Sequence, residues 1–165
     1  MVADLILISR TAIIMNFLDF IASSFFKEDK FFKQLTIWNI VTQILDCTNP
    51  IAIVNSFNIL IVFHLFFLFQ PELYYVIPSK CNLSITQFHI VNILLHLLPC
   101  IISIYYLIST SIHINIINGI YNILYILVWL CSVKMDYSIY SINKYYVKHL
   151  ICIYLSLIIF WIKMI

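Results

Sequence analysis

The chain has 165 residues, 64% apolar and only 10% charged, with a formal net charge of +2 at pH 7 and a mean hydropathy of +1.04. Soluble domains run at about 45–50% apolar and about 25% charged, and a surface this poor in charge does not stay solvated. The composition excludes a soluble enzyme and a disordered regulator, and so small a positive charge excludes capture of nucleic acid, which needs a concentrated basic face.

At about 20 residues per crossing plus a turn, the length accommodates five or six spans with almost nothing outside the membrane. The expected fold is an all-α integral membrane protein, a single six-helix transmembrane bundle over residues 1–165, resident in an endomembrane or the plasma membrane. The lipid bilayer is its first partner. One glycine (Gly119) and one arginine (Arg10) stand against 13 Phe and 11 Tyr. The five cysteines (Cys47, Cys81, Cys100, Cys131 and Cys152) have neither CxxC nor Cys/His spacing, so neither a disulfide framework nor a zinc site is expected.

The first helix is expected over residues 5–21, carrying Arg10, Asn16 and Asp19 into lipid depth, where such groups must face protein or water. A charged connection follows, with Lys27, Lys30 and Lys33. The second helix, 32–47, is spotted with Thr36, Asn39, Gln43 and Asp46 and ends at an Asp-Cys-Thr-Asn-Pro turn signal. Pro50 suits the first turn of the third helix, 51–69. Pro71 and Pro78 predict a loop up to about Thr86. Helices at 87–108, 114–133 and 149–165 complete the set.

Lysines lie only in the first, third and fifth connections (Lys27, Lys30, Lys33, Lys80, Lys134, Lys144 and Lys148), apart from Lys163 near the end. The positive-inside bias therefore places the odd connections in the cytosol and both termini opposite. Asn82-Leu83-Ser84 reads as a glycosylation sequon in an odd loop, and the lysines outweigh it.

Polar residues recur in steps of three and four, which puts them on one helix face. The stripes are Ser9, Ala12, Asn16, Asp19 and Ser23; Thr36, Asn39, Gln43 and Asp46; His89, Asn92, His96, Pro99 and Ser103; and Asn115, Asn118, Asn122, Tyr125, Trp129 and Ser132. Each stripe must avoid lipid. One stripe alone reads as interhelical glue; four of them, with two histidines and an acid, point to an interior polar pocket. No HExxH, His box, P-loop or GxSxG is present, so no metal and no cofactor is expected.

A hydroxyl nucleophile with a histidine base remains. Thr36 lies about 7 Å and His96 about 14 Å from the same face at 1.5 Å per residue, a gap within the range of tilt and register. A neutral His96 would serve as general base for Thr36, and Asn39 or Asn92, one turn from each, would donate to a developing oxyanion.

Phe32-Lys33-Gln34-Leu35-Thr36-Ile37-Trp38-Asn39 resembles the K-x-L-T-x-W-N opening of the second helix in the androgen-induced, androgen-dependent membrane hydrolase family. Asn92-Ile93-Leu94-Leu95-His96-Leu97-Leu98-Pro99 resembles that family's intramembrane Asn/His…Pro helix, with the proline closer to the histidine than the family's pattern. Tyr125-Ile126-Leu127-Val128-Trp129, followed by Tyr137 and Tyr140, is similar to its fifth helix. The similarity extends over roughly residues 5–160, and a bacterial six-helix family is also alike. The resemblance implies a multipass threonine hydrolase that cleaves fatty acid esters of hydroxy fatty acids, with Thr36 as nucleophile and His96 as base. The expected cavity joins Thr36, Asn39, His96 and Asn92, with Tyr125 and Trp129 on its wall. Two other readings stand beside it: a non-enzymatic scaffold or lipid-binding bundle, and a proton or solute pathway along Asp19, Asp46, His96 and Asn122.

Overall fold

The computed structural model describes residues 2–25, 34–80, 82–110, 112, 114–133 and 144–164. The lysines at 27, 30, 33 and 134, together with Cys81, His113, Tyr137 and Tyr140, lie outside the described residues. Every regular element among the described residues is helical: α1 (Val2–Phe25), α2 (Leu35–Leu45), α3 (Pro50–Phe69), α4 (Leu73–Lys80), α5 (Ile85–Asn92), a π-turn at Ile93–Leu97, α6 (Leu98–Ser109), α7 (Ile116–Ser132) and α8 (Lys144–Met164). Three helical stretches are long and apolar enough to cross a bilayer: Val2–Ser24, Pro50–Phe69 and Ile85–Ser109. Shorter apolar helices stand at Leu35–Leu45, Ile116–Ser132 and Ile151–Trp161. The chain is membrane-associated on this ground.

The segment between α3 and α5 departs from the expected loop. Residues Leu73–Lys80 form a helix despite Pro78 within it. A proline inside a helix removes one backbone bond; here aromatic packing holds the turn, with Tyr74 edge-on to Phe67 at 5.5 Å and to Phe88 at 5.8 Å. The next helix then starts two residues earlier than expected. Ser84 caps it, accepting from the Gln87 N–H while the Gln87 side chain accepts from the Ser84 N–H, a reciprocal capping box. Asn82 precedes that cap with φ 52°, a left-handed conformation that asparagine tolerates.

The turn after α2 forms as expected. Asp46 Oδ1 accepts from the Thr48 N–H at 3.1 Å and from its hydroxyl at 2.8 Å. Asn49 Oδ1 then caps α3 by accepting from the Ile51 N–H at 2.9 Å, while Asn49 Nδ2 donates to Asp4 Oδ1 at 3.2 Å. The start of α1 is thereby tied to the α2–α3 turn, at one end of the bundle.

Though only 11 residues long, α2 is the centre of the assembly; Leu35 to Asn39, Thr42 and Gln43 are all buried. One side meets α1 and α7 through Thr42, whose hydroxyl donates to the Trp38 carbonyl at 2.8 Å. Its single proton being committed there, Thr42 accepts from Thr11 at 3.2 Å and from Tyr125 at 2.9 Å. The other side meets α3 and α6 through Asn39 and Gln43. On the far side of α3, Asn55 accepts from Tyr154 of α8 and Asn58 accepts from Trp161 at 3.1 Å. The apolar core around these contacts includes Ile8, Met15, Trp38, Ile51, Tyr125, Ile126, Trp129 and Ile158.

Candidate functional site

Two of the sequence-predicted stripes meet face to face. Gln43 Nε2 lies 2.8 Å from Ser56 Oγ, 2.9 Å from the Pro99 carbonyl and 2.9 Å from Ser103 Oγ. Two turns nearer the start of α2, Thr36 Oγ1 lies 3.3 Å from His96 Nε2. Both pairings, 36 with 96 and 43 with 103, share an offset of 60 residues, so α2 and α6 run parallel in a fixed register. Residues seven apart differ by only about 20° around a helix, which is why one stripe on each helix suffices.

The long rod from Ile85 to Ser109 passes through Pro99 without a break. A proline in a regular α-helix collides with the carbonyl four residues back. Here the preceding turn widens: Ile93–Leu97 is π-helical, and the Leu98 N–H donates to the Ile93 carbonyl five residues earlier. Such single π-turns relieve a helix around a misfit residue, and this one carries His96.

Three contacts orient the imidazole. Nδ1 lies 3.3 Å from the Asn92 carbonyl, which can only accept, so the proton of the neutral ring sits on Nδ1. Nε2 is then a bare lone pair, and the Thr36 hydroxyl donates to it. The ring of Phe63 on α3 stacks on the imidazole with centroids 3.7 Å apart and an interplanar angle of 21°. Thr36 itself is buried and occupies the first turn of α2, where the helix dipole favours negative charge. This arrangement can take a proton from a hydroxyl and stabilise the anion that results.

The supporting residues fall differently from the sequence reading. Asn39 was expected as an oxyanion donor, yet its Nδ2 donates to Ser56 Oγ at 2.9 Å. Ser56 spends its own proton on the Ala52 carbonyl at 2.8 Å, so it can only accept from Asn39, and this fixes the amide with Oδ1 free. Asn92 contributes its backbone carbonyl to the imidazole, where a side-chain amide was expected. Tyr125 is fully buried but directs its hydroxyl to Thr42, which lies about 120° around α2 from Thr36. Its ring meets Trp38 edge-on at 6.3 Å. Tyr125 thus turns its hydroxyl to the Thr42 side of α2, and both Tyr125 and Trp129 are part of the buried core.

Ser56 and Phe63 were not singled out from sequence, since α3 is apolar nearly all round and its small polar residue gives no stripe. Of the other histidines, His64 Nδ1 bonds the Leu60 carbonyl at 2.8 Å, and His89 Nε2 lies 2.6 Å from the Tyr74 hydroxyl. Both are exposed. The sequence matches no family model, and no curated protein or solved structure is significantly similar to it.

Proposed function

We propose that the chain is a multipass membrane lipid-ester hydrolase in which Thr36 is the nucleophile and His96 its general base. The observation that carries this reading is the 3.3 Å approach of the Thr36 hydroxyl to a His96 nitrogen whose partner nitrogen is held by a carbonyl. A nucleophile, a base and an orienting acceptor are the three parts such a site requires. The substrate class is a fatty acyl ester, with fatty acid esters of hydroxy fatty acids as the expected members; the apolar surroundings of the pair suit an acyl chain arriving laterally from lipid.

The first step transfers the Thr36 proton to His96 Nε2 as Oγ1 attacks the ester carbonyl carbon. The tetrahedral oxyanion gains from the positive end of the helix dipole at the start of α2. Collapse breaks the bond to the alcohol oxygen, which takes the proton from Nε2 and leaves, and the acyl group stays on Thr36. Water then releases it as the acid.

In this reading α1, α2, α3, the α5–α6 rod, α7 and α8 are six crossings with the odd connections cytosolic. The parallel register of α2 with α6 supports the alternation of direction. Another support is the antiparallel course of α3, whose Ser56 meets Gln43 and whose Phe63 meets His96. At 1.5 Å per residue, α2 spans about 16 Å against a hydrocarbon core of about 30 Å; flanking residues and local thinning make up the difference.

Activity-based labelling with a fluorophosphonate probe tests the reading. The intact protein should label, and Thr36→Ala and His96→Ala should each abolish labelling, the double variant being no worse because the two act as a unit. Undiminished labelling of Thr36→Ala would refute Thr36 as the nucleophile, and no labelling of the intact protein would leave a non-enzymatic lipid-binding bundle.

A further inference from the structure

Between the Thr36–His96 pair and the Gln43–Ser103 pair, α2 carries Asn39, and the same 60-residue offset sets Pro99 at the corresponding position of the facing rod. Asn39 is 2% exposed, and its Oδ1 takes no hydrogen-bond partner among the described residues. An unsatisfied buried acceptor costs about 1–3 kcal/mol and asks for an explanation. Two features make this one a constructed acceptor. Ser56, whose proton is committed to Ala52, holds the amide so that Oδ1 cannot swap with Nδ2. The residue at the corresponding position, Pro99, has no N–H to offer. Along the helix the acceptor is one turn from the nucleophile, on the face that the base also meets.

We infer that Asn39 Oδ1 binds the hydrolytic water of the deacylation step. The inference rests on the hydrolase reading and deepens it. A water in an apolar interior needs two or more polar partners. Asn39 Oδ1 supplies one acceptor, and His96 Nε2, bare again once the alcohol has left with its proton, supplies the other. One water proton points at Oδ1 and stays. The second passes to Nε2 as the water oxygen bonds to the carbonyl carbon of acyl-Thr36. The tetrahedral intermediate then breaks its bond to Oγ1, which takes the proton back from Nε2, and the carboxylic acid is released. Asn39 is thus a second-step residue: acylation of Thr36 proceeds without it.

The test separates the two steps in the full chain, reconstituted in lipid nanodiscs. Fluorophosphonate labelling reads attack by Thr36; turnover of 4-nitrophenyl octanoate, with intact-mass and peptide analysis for an octanoyl group on Thr36, reads release. Asn39→Leu should label within about threefold of the intact protein, lose about 100-fold in steady-state turnover, in the range of general acid–base contributions, and accumulate octanoyl-Thr36. Ser56→Ala, which leaves Asn39 in place but frees its amide to rotate, should give a weaker form of the same uncoupling, about tenfold in turnover with labelling unchanged. Should Asn39→Leu not fold, Ser56→Ala decides. Parallel loss of labelling and turnover, or retention of both, overturns the inference. Failure of the hydrolase reading itself is seen elsewhere, as labelling that survives Thr36→Ala.

Discussion

Replacing Gln43 by methionine keeps the length and most of the volume of the side chain while removing its amide. Gln43 has two N–H protons and three acceptors around Nε2: Ser56 Oγ, the Pro99 carbonyl and Ser103 Oγ, all within 2.9 Å. Two bonds at most are therefore lost. Interhelical hydrogen bonds in membrane bundles average about 0.6 kcal/mol and reach about 1.7, so the expected destabilisation is about 1.2 kcal/mol, bounded at about 3.4 by the same range. Ser56 keeps its bond from Asn39, whereas Ser103 draws on Gln43 from across the interface, so a cycle of Gln43→Met with Ser103→Ala should show a coupling of about 0.6 kcal/mol. Equilibrium unfolding in mixed lipid–detergent micelles, followed by tryptophan fluorescence, measures this; Trp38 and Trp129 are each 2% exposed and report on the core. Additivity within about 0.3 kcal/mol would refute the argument that this contact fixes α2 against α6.

Tyr125→Phe should leave fluorophosphonate labelling unchanged while costing about 0.6–1 kcal/mol in the same unfolding assay, the worth of one interhelical bond to Thr42; loss of labelling would return Tyr125 to the wall of the site. Asn49→Ala removes the cap of α3 and should destabilise by about 1 kcal/mol. Asn49→Asp keeps a capping oxygen but sets a carboxylate against Asp4, so its stability, read by thermal unfolding, should rise as the pH falls, whereas the alanine variant should show no such recovery. Expressed in a eukaryotic endomembrane, Asn82 should carry no glycan under the proposed orientation, in which its loop is cytosolic; a glycan there, read by a glycosidase-sensitive gel shift, reverses the orientation.

The steps of three and four on α2 and α6 were legible in the sequence, and with them the pairing of Thr36 and His96, since any residues that must avoid lipid on two parallel helices are driven together. What periodicity does not carry is the identity of the facing helix. Tyr125 is interior, as its stripe requires, but a moment along α7 cannot tell the Thr36 side of α2 from the Thr42 side. Nor does spacing reveal which end of an amide is engaged: the donor of Asn39 is fixed by a proton that Ser56 spends on Ala52, a contact two helices are needed to make. The helix at Leu73–Lys80 is hidden for a different reason. Eight residues with a proline give no periodic signal, and their helicity comes from the packing of Tyr74 on Phe67 and Phe88. The π-turn is equally silent, although Pro99 three residues beyond His96 is its cause.

The constant offset of 60 between α2 and α6 has a consequence for how such a chain tolerates gained and lost codons. A residue added between 70 and 84 changes the arithmetic but moves neither face, because the connection around α4 absorbs it outside both registers. A single residue gained or lost between Thr36 and Gln43, or between His96 and Ser103, turns one member of a pair by about 100° relative to the other, so that no rotamer can restore both contacts at once. Length variation among descendants of this sequence should therefore gather around α4 and the termini, and two seven-residue windows should stay free of it. Within those windows the spacing is under stronger restraint than most of the letters that fill it.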